Sequence, residues 1–286
     1  MSDAESPIPA SDLPTRFVMG VVLVAVAVLA VYVGGWPFRL LVLAGAAVML
    51  LEWADMHRVA RIWGWLGAIL LGLLLLPGIE YFYPLGDIDV IESPVGDLVP
   101  GLTPESFADA VPGLLIAGGL GLLLGLVSRR LTMAGGFVYI AIPAFALLVL
   151  SWARFDLVLW VLIVTWATDI FAYFAGRGIG GPKLAPRISP SKTWAGLAGG
   201  VAGAAAMGWL TAWYFELGSP FLEIGALMGI LAQAGDLFES WLKRRAGVKD
   251  SGTILPGHGG ALDRLDGLLP VVIATFLILA SGVWTG

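Results

Sequence analysis

The sequence has no cysteine, and only 13% of its 286 residues are charged. The absence of cysteine excludes disulfides, thiolate zinc sites and a cysteine nucleophile. Soluble domains carry charge on about one quarter of their residues, so water is not the main solvent of this chain. Hydrophobic residues make up 58% of it, and the mean hydropathy is +0.90. This composition is typical of an integral membrane protein, and the net charge of −5 argues against a nucleic-acid partner.

Nine apolar runs are candidate transmembrane helices, because a bilayer core about 30 Å thick takes roughly 20 mostly apolar residues per helical span. The runs lie at 17–33, 38–54, 62–79, 111–127, 133–152, 157–175, 194–215, 220–242 and 267–284. We therefore predict an all-α, polytopic transmembrane bundle that forms one membrane domain over residues 1–286. Its N-terminal spans occupy 17–127, and the spans and cytoplasmic loops expected to carry the chemistry occupy 133–286.

The basic residues predict the orientation of the bundle. With a cytoplasmic N-terminus and nine spans, every Lys and Arg falls inside except Arg39 and Arg154, as the positive-inside rule requires. The C-terminus then lies outside. The 80–109 loop, which has seven acids and no Lys or Arg, is then external.

One charged connection, 235–266, is continuous with the eighth predicted span. Asp236, Ser240 and Lys243 recur at i, i+4 and i+7, which places them on one helix face. An ionisable residue within a span is costly unless it faces a polar cavity, a partner or a metal. Asp236 is therefore a site candidate, and the alternative is an end-of-helix carboxylate paired with Lys243 or Arg244.

The same connection continues into the sequence PGHGG, in which glycines permit a tight turn whose backbone N–H groups face a ligand. His258 in this turn is either a general base or a turn-stabilising residue, and we assign it a binding role. The charged residues that follow are Asp263, Arg264 and Asp266. Carboxylates interleaved with Lys and Arg are the arrangement that holds Mg²⁺ against a polyphosphate.

A second charged connection, 169–194, precedes the seventh span. Residues 189–193 read SPSKT and predict a helix N-terminus with a Ser cap beside Lys192, which is a phosphate-binding arrangement. Simple capping with an interfacial lysine is the alternative, and Asp169 within the sixth span favours a functional cavity. The G-x-G-x-x-G spacing at 176–181 is not a dinucleotide fingerprint, because it follows a membrane helix and not a strand.

The stretch 240–266 resembles the signature of CDP-diacylglycerol synthases, also called phosphatidate cytidylyltransferases. The matching positions are Ser240, Lys243, Arg244, Lys249, Asp250, Pro256, His258, Gly259, Gly260, Asp263, Arg264 and Asp266. The upstream connection is similar to the family's other motif, although Ser191 and Ala195 replace a usual lysine and glutamate. The N-terminal half agrees mainly in hydropathy and in the pair Glu52-Trp53.

This resemblance implies that CTP and phosphatidic acid react to give CDP-diacylglycerol and diphosphate, with Mg²⁺ required and a monovalent cation such as K⁺ as an addition. It implies a homodimer in the lipid bilayer of a bacterial inner membrane, with the active site facing the cytoplasm. Asp236 and Asp263 would be the metal ligands, and the catalytic set would be Asp236, Asp263, Lys243, Lys249, Asp250 and Asp266. The implied substrate-binding residues are Asp169, Arg177, Lys183, Ser189, Lys192, Thr193, Ser240, Arg244, His258, Gly259, Gly260 and Arg264.

Two other functions fit parts of the pattern. A CTP-dependent polyprenol or dolichol kinase also brings a cytidine nucleotide to a membrane lipid, but it transfers the γ-phosphate. A secondary transporter of an anionic substrate also places ionisable residues at broken helices, although no clear inverted repeat is visible.

Overall fold

The structure is a computed structural model, and it describes residues 12–76, 110–252 and 259–281, with side chains from residue 18 onward. The helices before the first charged connection are α1 (Asp12–Val33), α2 (Gly35–Met56), α3 (Arg61–Leu75), α4 (Val111–Ser128), α5 (Leu131–Ala153) and α6 (Phe155–Gly178). The elements after it are β1 (Lys183–Ala185), β2 (Ser189–Thr193), α7 (Trp194–Tyr214), α8 (Ser219–Glu223), α9 (Gly225–Ala246), α10 (Leu262–Leu265) and α11 (Leu268–Ala280). His258, the 80–109 loop and residues 282–284 of the ninth predicted span lie outside the described residues.

Helix occurs in each of the nine runs that hydropathy selects. Among the described residues, five helices, α2, α4, α5, α6 and α7, are long and apolar enough to cross a membrane, and α5 is the most buried of them. Three further apolar helices are shorter, at Val18–Val33, Arg61–Leu75 and Leu268–Ala280. The eighth predicted span is divided at Ile224 into α8 and α9, and the second half of α9 is strongly charged.

The described chain is mostly helical, as predicted, with one addition that the prediction did not include: β1 and β2 form a small antiparallel hairpin between α6 and α7. Lys183 pairs with Thr193, and Ala185 pairs with Ser189. The predicted Ser cap is wrong: Ser189 lies in a strand, and the Thr193 side chain caps α7 by accepting a hydrogen bond from Gly196 N at 3.0 Å. The segment is extended because its backbone groups pair across the hairpin, so the helix begins only at Trp194.

Helices α6 and α7 pack closely through small residues. A Cβ added at Gly199 would lie 2.2 Å from Ala175 Cβ, and one added at Gly200 would lie 2.9 Å from Thr168 O. Glycine therefore lets the two backbones approach, as small residues do in membrane helix pairs. The hairpin is carried to the end of the bundle where α6 stops and α7 starts.

The opposite end of this helix pair contains a buried ion pair. Arg154 pairs with Asp156 at the start of α6, and Arg154 Nη2 donates to Phe215 O at 2.7 Å, just after α7 ends. Both side chains are under one tenth exposed. The two ends of the α6–α7 pair therefore differ: one is closed by this ion pair, and the other carries the hairpin.

Candidate active site

The two charged connections meet where β2 lies against α9. Lys192 Nζ forms an ion pair with Asp236 Oδ2 and donates to Gln233 Oε1 at 3.1 Å. Ser240 Oγ donates to Asp236 Oδ1 at 3.4 Å, one turn further along α9. Asp236 therefore forms an ion pair with Lys192 of the other connection, and not with Lys243 or Arg244 of its own helix.

Lys243 lies between two carboxylates. Its Nζ is 2.6 Å from Glu239 Oε2 on the same helix face and 2.6 Å from Asp263 Oδ1 in α10. Glu239 is fully buried, and its Oε1 accepts no hydrogen bond from the described residues. Lys243 therefore joins α9 to α10 and is the principal positive charge beside Glu239.

Asp263 is held by backbone as well as by lysine. Its Oδ2 accepts hydrogen bonds from Ser251 N at 3.0 Å and from Gly260 N at 2.9 Å. Burial raises the pKa of Asp263, but Lys243 and these N–H groups outweigh that effect and hold the pKa below its usual value. The predicted anion-binding turn therefore directs the Gly260 N–H at a carboxylate of the protein itself.

Glycine at 259 and 235 permits two close approaches in the site. Gly259 has φ +80°, a conformation that side chains disfavour, and a Cβ there would lie 3.0 Å from Asp263 Oδ2. A Cβ at Gly235 would lie 2.4 Å from Asp266 O. The backbone of α9 therefore touches the backbone of Asp266, which brings Asp236 and Asp266 into the same region.

Asp266 lies among other acids. Its pKa is raised well above the usual value, first by burial and then by the charges of Asp236 and Glu239, with a smaller contribution from Asp169. The Gly267 N–H, which donates to Asp266 Oδ1 at 2.7 Å, opposes this increase only in part. Asp266 therefore lies near Asp236 and Glu239, which are paired with Lys192 and Lys243.

Two other predicted residues, Arg244 and Arg177, contact partners outside this cluster. Arg244 Nε donates to Ile188 O at 3.2 Å and ties α9 to the hairpin, and Arg177 Nη1 donates to Tyr173 OH at 2.8 Å. The exposed members of the predicted set are Asp169, Arg177, Lys183, Arg244, Lys249, Asp250 and Arg264.

Sequence reasoning did not include Gln233 and Glu239 in the site. For Glu239, the i, i+4 spacing from Lys243 was an available signal. For Gln233, whose partner lies in β2, no sequence signal existed.

The carboxylate oxygens of this site are of the type that binds a hard divalent cation, although the described side chains do not form a preformed metal site. Within 18–76, 110–252 and 259–281, no group of three or more His, Asp or Glu side chains is placed to hold a metal ion. Asp236 and Asp263 each contact a lysine, so the two-carboxylate metal pair stays a prediction. Asp236 and Asp266 offer carboxylate oxygens in a region of excess negative charge, which is the kind of donor that Mg²⁺ takes.

These features define the chain as an integral membrane protein with a charged site at one end of a helical bundle. Its sequence matches the model of the cytidylyltransferase family over residues 14–281, and the chain belongs to that family.

Its relatives include bacterial proteins named phosphatidate cytidylyltransferase. The one from Brucella abortus biovar 1 (strain 9-941) is 36% identical over 280 residues, which cover 93% of each chain. The one from Bacillus subtilis (strain 168) is 32% identical over 275 residues, covering 94% of this chain and 98% of the relative. A third, from Rickettsia bellii (strain RML369-C), is 37% identical over 160 residues, which cover 52% of this chain and 68% of the relative.

Proposed function

We propose that this chain is a phosphatidate cytidylyltransferase that converts CTP and phosphatidic acid to CDP-diacylglycerol and diphosphate. The single observation that carries this function is the contact of Lys192 with Asp236, because it joins the two segments that resemble the family's motifs. The full-length similarity to relatives of that name supports the same function.

The reaction needs charge neutralisation and alignment more than a protein nucleophile. A phosphate oxygen of phosphatidate forms the new bond to the α-phosphorus of CTP, and the bond from that phosphorus to the bridging oxygen of the β-phosphate breaks. The electron pair leaves with diphosphate. Holding both reactants in line converts an encounter in solution into a step within one complex, and cations aimed at the phosphate oxygens stabilise the charge that develops.

The basic and acidic side chains of the site have different roles in this reaction. Lys192 contacts Asp236, Lys243 contacts Glu239 and Asp263, and Arg264 follows Asp263 in the chain. We assign Lys192 and Lys243 to the phosphate groups of the substrates. Glu239 and Asp263 hold Lys243 from two sides, so its ammonium is oriented before substrate binds.

Asp236 and Asp266, with Asp263 as the further family-implied ligand, would hold Mg²⁺, which supplies neutralisation of the triphosphate when bound. A K⁺ ion and a homodimer remain expectations from the family resemblance. We further propose nine spans in a bacterial inner membrane, a cytoplasmic N-terminus and a site that opens to the cytoplasm. Supporting this orientation, the basic hairpin and the basic end of α9 lie together, and CTP is a cytosolic substrate.

The test is the fate of two labels in CTP. Purified protein in lipid-containing micelles is incubated with phosphatidate, Mg²⁺ and CTP labelled either in cytidine or in the γ-phosphate, and lipids are then extracted. Only the cytidine label should enter the lipid, and diphosphate should form in equal amount. Gamma label in a polyprenol or another lipid would show a kinase, and flux into sealed vesicles without covalent change would show a transporter.

A pair of matched variants makes the test specific to the site. Asp236→Asn should abolish transfer of the cytidine label. Asp156→Asn, which alters a buried acid at the opposite end of the α6–α7 pair, should leave turnover per folded molecule unchanged. Normal turnover in Asp236→Asn would refute the assignment of the site.

A further inference from the structure

Glu52 in α2 reaches the C-terminal part of the site from the N-terminal half of the chain. Only 2% of its surface is exposed. Its Oε1 accepts a hydrogen bond from Ala261 N at 2.9 Å, and its Oε2 accepts one from Leu262 N at 2.9 Å and one from Ser251 Oγ at 3.2 Å. These three donors therefore come from Ser251 and from the two residues immediately before Asp263 in the chain.

The backbone of this region is fitted to the Glu52 carboxylate. A Cβ added at Gly252 would lie 2.7 Å from Glu52 Oε1, and one added at Gly260 would lie 2.7 Å from Oε2. The same Cβ at Gly260 would lie 2.1 Å from Ser251 Oγ. Since real Cβ atoms do not approach so closely, the two glycines let the main chain pack directly on the acid.

Glu52 and Asp263 hold the same two stretches of chain. The Ser251 hydroxyl donates to Glu52, and the Ser251 N–H donates to Asp263. In the second stretch, the Gly260 N–H donates to Asp263, and the next N–H, that of Ala261, donates to Glu52. A shift of Glu52 would therefore be transmitted to Asp263 and, through its 2.6 Å contact, to Lys243.

Apolar packing would have been a less costly way to join α2 to this turn. Burying a carboxylate is unfavourable unless hydrogen bonds compensate for its lost hydration, and the Ser251, Ala261 and Leu262 donors are neutral. Charge-assisted hydrogen bonds are shorter and stronger than neutral ones, so a carboxylate orients three donors more firmly than an apolar or amide side chain would. A buried carboxylate at this position therefore indicates that the turn must be held in one orientation, which packing alone would not achieve.

We propose that Glu52 is a positioning residue for cytidylyl transfer: it fixes the 259–262 turn and Ser251, and so sets the direction of Asp263 and Lys243. This inference rests on the proposed function. It assigns no contact between Glu52 and substrate. It also gives the N-terminal spans a role in the chemistry of the C-terminal half.

The test compares Glu52→Gln with Asp156→Asn, a change of another buried acid far from this turn. Hydrogen exchange of backbone amides is measured in peptides covering 251–252 and 259–263, together with kcat and KM normalised to folded protein. In Glu52→Gln the 259–263 amides should exchange at least tenfold faster and kcat should fall at least tenfold, with KM for CTP within threefold. In Asp156→Asn the melting temperature should fall while these exchange rates and kcat stay at wild-type values.

Each outcome decides the proposal. Unchanged exchange in Glu52→Gln would overturn it whatever the activity, and faster exchange with an unchanged kcat would reduce Glu52 to a stabilising role and overturn it as well. If Glu52→Gln does not fold, Ser251→Ala, which removes one donor, should show the same two changes at a few-fold size, and no change there would count against the proposal. Failure of wild-type protein to form the cytidine lipid would instead refute the proposed function, and the exchange comparison would still decide whether Glu52 holds the turn.

Discussion

Replacing Lys243 with Met should separate the structural and chemical roles of the site. Methionine keeps most of the length of the lysine side chain but removes the ammonium. That ammonium is 2.6 Å from both Glu239 Oε2 and Asp263 Oδ1. The two carboxylate oxygens therefore lie no further apart than twice this distance, and the variant leaves them facing each other without a cation between them.

The cost follows from Coulomb's law. Two unit charges about 5 Å apart repel by about 3 kcal/mol at an effective dielectric constant of about 20. Water can relieve little of this at Glu239, whose side chain is fully buried, and removing one partner of a buried pair costs about 3–5 kcal/mol. We expect the free energy of unfolding to fall by about 3 kcal/mol at neutral pH. If Lys243 neutralises substrate phosphate as we propose, loss of its ammonium should lower kcat by roughly 10²–10³-fold.

The assay measures thermal unfolding and cytidylyl transfer on the same preparations. The double variant Lys243→Met with Glu239→Gln removes one of the two repelling charges, so most of the stability should return while the activity stays low. Arg61→Gln is the control, because it breaks an exposed ion pair with Asp55, and such pairs contribute at most about 1 kcal/mol. Full activity in Lys243→Met, or recovery of activity in the double variant, would refute the assignment of Lys243 to substrate phosphate.

Further predictions concern the other charged and close-packed positions. Burial and neighbouring acids raise the pKa of Asp266 in the folded protein, so stability falls as pH rises above the ordinary pKa of a carboxyl group. Asp266→Asn should therefore raise the melting temperature at pH 7 to 8, and this gain should disappear near pH 4. The same variant should lower turnover. Lys192→Ala should raise the KM for CTP or phosphatidate about tenfold, and unchanged apparent affinities for both would count against its role. Gly235→Ala should destabilise the protein by about 1–3 kcal/mol, because the new methyl group meets Asp266 O, and a wild-type melting curve would contradict the close contact. Asp263→Asn should abolish turnover while leaving a folded protein, and near-normal rates would remove this carboxylate from the mechanism.

Two corrections to the sequence prediction have separate physical causes. Composition predicts one continuous span over the eighth run. In the structure, Ile224 separates α8 from α9, because the start of α9 packs closely against α7. A Cβ at Gly225 would lie 2.7 Å from Ala204 O, which shows how tight this packing is. The hairpin was missed because three and five residues of extended chain leave little periodic signal. The break in the eighth run therefore depends on packing between helices, and the hairpin depends on pairing between two short neighbouring strands.

The sequence by itself determined that the chain is a helical membrane protein and that its candidate site residues lie mainly in two charged connections. Apolar length and charge placement are local properties, and the cost of burying backbone and charge in lipid makes them sufficient for these conclusions. Only the tertiary structure decided which acid meets which cation: Asp236 with Lys192, and Lys243 with Glu239 and Asp263. It also showed Glu52 beneath the 259–262 turn, about 200 positions away in the chain. Such pairings depend on the relative positions of helices that are far apart in sequence, and no periodicity within one helix encodes them.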